Sequence, residues 1–323
     1  RPDSLPQIAA LSIRSGNGLL LKGGREAKHS NEKLHSIITK TLQRSTKGRV
    51  PAGTIGLVTT RDEISSLLKL DKYIDLVIPR GSKALVQNIQ NNTKIPVMGH
   101  ADGVCPLYVH SAADITKAKS IVVDAKINYP AACNAVETIL IDASLVGLKD
   151  GQSISPAQDI VTALEEADVT VLAGPLARAH GLGTEEVEDF HTEYGDLRVS
   201  VELVNNVELA IEHVNKYGSH HTDGIITENI AASQTFISSV DSACCFHNAS
   251  TRMADGFRFG LGAEVGISTS RIHARGPVGV QGLLTEKWVL VDQNTGGKGT
   301  TAAAFEKGEA KFLHRICEPN PAN

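Results

Sequence analysis

Thr54-Ile55-Gly56-Leu57-Val58, followed by Thr59-Thr60-Arg61-Asp62-Glu63-Ile64, is the stretch on which the fold turns. Its first five residues have the length and apolar content of a buried strand. Thr60 and Glu63 then stand at capping-box spacing, ahead of a helix carrying Ile64, Leu67 and Leu68. A strand that runs straight into a capped helix is half of a parallel crossover unit. The same alternation repeats on both sides. Upstream, Leu5, Ile8, Ala9 and Ile13 mark a helix face that ends at Gly16-Asn17-Gly18, and Leu19-Leu20-Leu21-Lys22 reads as a strand stopped by Gly23-Gly24. Ser30 is placed to cap the next helix, whose apolar positions are Leu34, Ile37, Ile38 and Leu42. Downstream, Asp75-Leu76-Val77-Ile78-Pro79 is a third strand, Arg80-Gly81-Ser82 a turn, and Leu85, Val86 and Ile89 a helix face. Short apolar strands alternating with amphipathic helices imply an α/β fold with a parallel sheet covered on both faces.

From about residue 114 the pattern restarts. Ile115, Ala118, Ile121, Val122 and Ala125 lie on one helix face, which Asn128-Tyr129-Pro130 breaks. Strands are expected at 138–141, 169–172, 225–227 and 243–246, with helices opening at Ser155-Pro156 and running over Val207, Ala210, Ile211 and Val214 to Gly218. Val199-Ser200-Val201-Glu202-Leu203 alternates in the manner of a half-exposed strand. After Leu290 the chain loses its period, and residues 291–323 read as a mobile tail.

Composition narrows the function. Of 323 residues 41% are hydrophobic and 21% charged, with a net charge of −4 spread along the chain, so neither a nucleic-acid nor an anionic-membrane surface is indicated. No apolar run reaches the length of a spanning helix. Five cysteines without a C-x-x-C, and a His220-His221 pair without partner spacing, argue against zinc and against a disulfide framework. A reducing, cytoplasmic setting follows. The chain opens at Arg1-Pro2-Asp3 without Met and reads as a fragment, so an organellar targeting segment upstream would lie outside it.

Two segments carry candidate chemistry. In Asn128-Tyr129-Pro130-Ala131-Ala132-Cys133-Asn134-Ala135-Val136-Glu137-Thr138, Pro130 suits the first turn of a short helix. That would set Cys133 beside exposed N–H groups, which lower a thiol pKa. A buried structural cysteine is the alternative reading. The second segment, from Asn248 to Gly279, holds too many glycines for regular structure, and Arg252 and Arg275 within it are each suited to a carboxylate or phosphate, or else are solvated surface charges. Lys22 stands at a strand end, suited to a phosphate or else a plain surface charge, and Arg80-Gly81-Ser82 opens a helix, where backbone N–H groups favour an anion or form an ordinary strand-to-helix turn.

Arg1-Pro2-Asp3, Ser15 through Gly24, Gly99-His100-Ala101-Asp102-Gly103, Tyr129 through Asn134, Asn248 through Arg252 and Phe259 through Glu264 together resemble the gamma-glutamyl phosphate reductases. Among these the likeness is strongest to the reductase half of the eukaryotic bifunctional pyrroline-5-carboxylate synthases. It covers roughly residues 1–290. The resemblance implies an aldehyde dehydrogenase-like α/β fold. Its Rossmann-like cofactor domain would span 1–114 with its first part missing, and its catalytic domain 115–273. Residues 274–290 would return to the cofactor and oligomerisation region. It further implies NADPH-dependent reduction of L-glutamyl 5-phosphate to L-glutamate 5-semialdehyde in proline synthesis, with no metal. Cys133 matches the family's nucleophile. Lys22, Arg80, Gly81, Ser82 and Glu193 match cofactor-binding positions, and Asn248, Ser250, Thr251 and Arg252 match the substrate pocket. Homo-oligomerisation and an attached glutamate kinase domain are the implied partners. Met98-Gly99-His100-Ala101-Asp102 lacks the glutamate with which oxidative relatives activate water, as suits a reductase. Another acyl-phosphate or acyl-CoA semialdehyde dehydrogenase, or an inactive fragment with a binding role, are the alternatives.

Overall fold

In the computed structural model, which describes residues 4–24, 26–58, 61–81, 83–99, 102–148, 153–291 and 299–309, the alternation of short strands and helices holds. The N-terminal part runs α1 (Ser4–Ser15), β1 (Leu19–Lys22), α2 (Lys28–Ser45), β2 (Ile55–Val58), α3 (Arg61–Leu67) and α4 (Lys83–Asn91). Strands β1 and β2 pair in parallel, Leu19 opposite Ile55 and Lys22 opposite Val58. Ser30 does not cap α2, which begins two residues earlier behind Ala27. The strand expected at 75–79 shrinks to a single parallel bridge between Val77 and Val97.

The larger sheet is built from β3 (Cys105–Val109), β4 (Val136–Asp142), β5 (Thr170–Ala173), β6 (Glu185–Glu186), β7 (Arg198–Val204), β8 (Thr222–Ile226) and β9 (Cys244–His247). Its order is β6-β5-β7-β4-β3-β8-β9, and every pairing is parallel. Between the strands lie α5 (Ile115–Ile127), α6 (Pro156–Glu165), α7 (Pro175–Ala179), α8 (Val207–Tyr217) and α9 (Ile230–Ser239). Alternate residues of one strand feed different cores. Leu107, Val109, Ile139 and Ile141 pack with residues of α5 and α6, while Tyr108, Leu140 and Ile225 pack with residues of α8 and α9. Covering both faces explains why the strands read as continuous apolar runs.

It also corrects the reading of β7. This strand is buried from Val199 to Val204, not half-exposed, because Ser200 and Glu202 are satisfied inside the protein. The Ser200 hydroxyl meets the Tyr194 hydroxyl at 2.8 Å, and Glu202 accepts from the Ala177 N–H at 2.9 Å. Strand β3 lies upstream of residue 114 yet is central in this sheet, so the boundary expected at 114 does not coincide with the edge of the sheet. Helix α8 ends at Gly218 in ordinary extended backbone (φ −67°) rather than in a left-handed cap.

Beyond the sheet, β10 (Ile267–Ser268) and β11 (Gly276–Pro277) form an antiparallel pair. Val265, Ala274 and Val278 share a core with Leu11 of α1 and with Met98. The chain through Leu284 forms one compact unit and the chain from Thr285 a second. In the second, Thr301 accepts from the Ala304 N–H and opens α10 (Ala302–Glu306), so the stretch expected to be structureless contains a capped helical turn. Among the described residues, no helix is long and apolar enough to cross a membrane.

Candidate active site

Cys133 sits in the turn that feeds β4, at the amino-terminal edge of the seven-stranded sheet. The turn is not the short helix that Pro130 suggests. Tyr129 takes a left-handed conformation (φ 64°), and two successive tight turns follow, Ala132 N–H to Tyr129 C=O at 3.0 Å and Ala135 N–H to Ala132 C=O at 2.8 Å. Several ties hold it. The buried Asn134 side chain donates to Ala254 C=O at 2.7 Å, and the Arg252 guanidinium bonds both Asn134 Oδ1 and, at 2.5 Å, Asn128 C=O. The Cys105 thiol donates to Cys133 C=O at 3.3 Å. Gly103 completes the support, since a Cβ there would lie 2.1 Å from the Cys133 carbonyl oxygen and 2.7 Å from its Cα. The approach of β3 to this turn therefore requires a residue without a side chain.

The thiol is not lowered by a helix terminus. Burial pushes Cys133 up to about 11, and the charges of Arg80 and Arg252 pull it back against Glu193 and Glu264. Burial wins because the half-buried sulfur loses hydration that two arginines replace only in part. Arg80 is anchored by donating to Val265 C=O at 3.0 Å, with its guanidinium close over Gly266, where a Cβ would come within 2.4 Å of Nη1. Glu264 accepts from Gly256 N–H at 2.8 Å, and burial raises its pKa. The cluster around the sulfur is thus two cations and two carboxylates drawn from four distant segments.

The expected site residues divide. Arg80, Glu193 and Arg252 are near enough for their charges to act on the Cys133 thiol, and Arg252 alone of them is bonded to its turn. Lys22 is exposed at the carboxyl end of β1, beside the end of β2, where parallel sheets commonly take nucleotides. Gly81 packs against Leu85 at the start of α4, its Cβ position 2.6 Å from Leu85 Cδ2. Ser82, like His100 and Ala101, lies outside the described residues. The run 248–252 is split in its duties. Asn248 closes the carboxyl ends of β8 and β9, accepting from Thr227 N–H and donating to Thr227 C=O, both at 2.9 Å. Ser250 caps the 3-10 turn Thr251–Met253, Thr251 is fully buried, and only Arg252 reaches the cysteine turn. Arg275 is drawn away to Asp241 at 2.6 Å.

Four residues were not singled out in the sequence. Glu264 and Gly103 stand inside motifs quoted for the resemblance, whereas the buried pair Lys126–Glu137 (2.7 Å) had no local signal. Among the described residues, no group of three His, Cys, Asp or Glu is placed to hold a metal ion.

A cysteine turn under the charge of two arginines, in a chain built on parallel sheets, has the makings of a dehydrogenase-type site. In agreement, the aldehyde dehydrogenase family matches residues 6–177, and the chain belongs to that family. Its similarities are narrower still. It is 51% identical over 320 residues to the gamma-glutamyl phosphate reductase of Picosynechococcus sp., covering 98% of this chain and 71% of that protein. It is 56% identical over 290 residues to delta-1-pyrroline-5-carboxylate synthase 1 of Oryza sativa subsp. japonica, covering 90% of this chain and 39% of that protein. The crystal structure of gamma-glutamyl phosphate reductase from Thermotoga maritima matches with a TM-score of 0.83 at 35% identity, over 91% of this chain and 70% of the other. The chain therefore spans about two fifths of the plant synthase it resembles.

Proposed function

We propose that the chain carries the reduction of L-glutamyl 5-phosphate to L-glutamate 5-semialdehyde, with NADPH as reductant and phosphate as leaving group. The observation that supports this reading is that the Cys133 thiol feels the charges of both Arg80 and Arg252, the latter bonded to the Cys133 turn itself, in a chain about half identical to gamma-glutamyl phosphate reductases. Two fixed cations suit an acyl phosphate, whose leaving group is a dianion.

The Cys133 thiol gives its proton to water and attacks the substrate's C5 carbonyl carbon as the thiolate; collapse breaks the bond from C5 to the phosphate oxygen, releasing phosphate and leaving a thioester on Cys133. The Cys133 N–H is a natural backbone donor for the oxyanion formed at this step. NADPH, when bound, supplies the hydride that reduces the thioester carbon. Loss of the aldehyde from the resulting hemithioacetal then returns the thiolate of Cys133. Lys22 is suited to the 2′-phosphate of NADPH by its exposed ammonium at the end of β1, and Glu193 to the ribose hydroxyls next to the nicotinamide. Arg252 also holds Asn134 and Asn128, so it orients the nucleophile's turn while facing the anionic substrate. A glutamate kinase activity must supply this substrate, and the apolar run Trp288, Val289, Leu290 and Val291, exposed in the second unit, supports assembly with further copies.

The test is NADPH oxidation by the chain with glutamyl phosphate generated in situ from glutamate, ATP and glutamate kinase, compared with aspartyl phosphate made the same way. Turnover with the glutamyl substrate alone, lost in Cys133→Ala, is expected. Equal rates with both substrates, or an undiminished Cys133→Ala, would overturn the reading.

A further inference from the structure

Glu137 lies at a break in the sheet. Cys105 of β3 faces Val136, but the next residue, Pro106, faces Thr138, so Glu137 is the extra residue of a bulge. Proline in a central strand offers no N–H to the ladder, and a bulge is where a strand tolerates it. The carboxylate this exposes to the interior is 1% accessible, and its partner ammonium, Lys126 from the last turn of α5, is 0% accessible. Lys126 Nζ donates to Glu137 Oε2 at 2.7 Å and to Val136 C=O at 3.0 Å. The other oxygen, Oε1, accepts from the Gly195 N–H at 3.2 Å.

Those partners come from α5, from β4 and from the loop that carries Gly195. Glu137 is four residues past Cys133, at the exit of its turn, and Gly195 is two residues past Glu193. Glu193 is felt electrostatically by both Cys133 and Glu137. Tyr194 and Gly195 are further fixed, through Tyr194 Oη to Ser200 Oγ at 2.8 Å and through the positive φ of Gly195 (65°). A buried ion pair gains little in stability over apolar residues of the same volume. What this one adds is a connection: one oxygen anchored to α5, the other to the Glu193 turn.

We propose that Glu137 is a positioning residue, locked by Lys126 at the β3–β4 bulge, whose carboxylate fixes the Glu193 turn against the Cys133 turn. This rests on the reading above, in which Cys133 is the nucleophile and Glu193 meets the cofactor ribose. Lys126 sets the carboxylate's direction, and the Gly195 N–H transmits it. Nothing in this role requires Glu137 to touch substrate.

Three variants test it: Lys126→Met with Glu137→Leu, Lys126→Met with Glu137→Gln, and Glu137→Asp. The first removes both charges and the acceptor for Gly195. The second removes the charges but keeps an oxygen there, and the third keeps the charge while shortening its reach. Readouts are urea unfolding, NADPH affinity by fluorescence titration, and the rate of Cys133 alkylation by iodoacetamide, followed by mass on its own peptide. The Leu double variant should unfold near the wild-type midpoint yet bind NADPH about tenfold more weakly. Its Cys133 should be alkylated several-fold faster, since Glu193 no longer holds the thiol up. The Gln double variant should return to within about twofold of wild type in both readouts. If the Leu variant does not fold, Glu137→Asp decides, with the same two changes expected. Wild-type NADPH affinity and alkylation rate in a folded Leu variant, or in Glu137→Asp, overturn the proposal. Neither readout uses glutamyl phosphate, so failure of the wild-type chain to reduce that substrate would count against the proposed function and leave the comparison of variants intact.

Discussion

Gly103→Ala isolates the geometry of the nucleophile's turn. Gly103 is buried just before β3, and its backbone φ is not in the left-handed region, so alanine meets no conformational barrier there. Its added carbon would fall 2.1 Å from the Cys133 carbonyl oxygen and 2.7 Å from the carbonyl carbon and Cα. An ordinary carbon–oxygen contact is about 3.3 Å. Relief therefore needs a displacement on the order of 1 Å, and the obstructing atoms are backbone that cannot rotate aside. Strand β3 is pinned on both sides by β4 and β8, so the turn is the part that yields. A misplacement of about 1 Å at a nucleophile costs on the order of 100-fold in turnover. Overpacking of this size costs stability of about 1–3 kcal/mol. The assay is kcat with glutamyl phosphate and NADPH, beside a urea unfolding curve for each protein. A folded Gly103→Ala protein with kcat within about threefold of wild type would refute the claim that this contact sets the sulfur's position.

Without substrate, Cys133 at about 11 should be alkylated by iodoacetamide about tenfold faster per pH unit between roughly pH 8 and pH 10, and a plateau already at pH 8 would contradict the burial argument. Arg80→Gln should slow that alkylation at fixed pH, because Arg80 lowers the thiol pKa more than Arg252 does. Lys126→Met leaves Glu137 buried without its ammonium and should cost about 3–5 kcal/mol near pH 8. Burial raises Glu137 above the carboxylate range, to about 7 with Lys126 present, so the folded state holds that proton more tightly than the unfolded state. The stability is then lost as pH rises through this window, and urea midpoints should differ less from wild type at pH 5 than at pH 8. Lys22→Ala should raise KM for NADPH about tenfold and leave KM for NADH within about twofold, if its ammonium meets the 2′-phosphate; equal effects on the two cofactors would place it elsewhere.

Much of the secondary structure was legible because period and punctuation agree locally. Ser155-Pro156 opens its helix with the side-chain cap that serine supplies, and α5 stops at Asn128 ahead of Pro130. The misreadings have physical causes. Strand β3 escaped notice because Cys105-Pro106 looks like a break, and only the bulge opposite it makes that proline acceptable in a sheet. Strand β7 looked half-exposed because Ser200 and Glu202 alternate with valines, and their burial depends on Tyr194 and on the α7 backbone, which no spacing announces. Around the site, Cys133 was visible as a nucleophile among small residues, but its segment was read as a short helix and is a pair of tight turns. Its protonation was misjudged because a thiol's pKa depends on burial and on charges brought from residues 80, 193, 252 and 264.

The amino-acid order alone determined that this chain alternates buried strands with amphipathic helices and carries a cysteine flanked by small residues after Asn128-Tyr129-Pro130. Those properties depend on neighbours within a few positions, where hydrophobic period and turn chemistry act. Tertiary structure alone decided that Arg252, and not Asn248, reaches that turn, that Glu137 sits at a bulge with Lys126, and that the sulfur is held up rather than down. Those properties are sums over groups far apart in sequence, and solvation and Coulomb forces respond to distance in space.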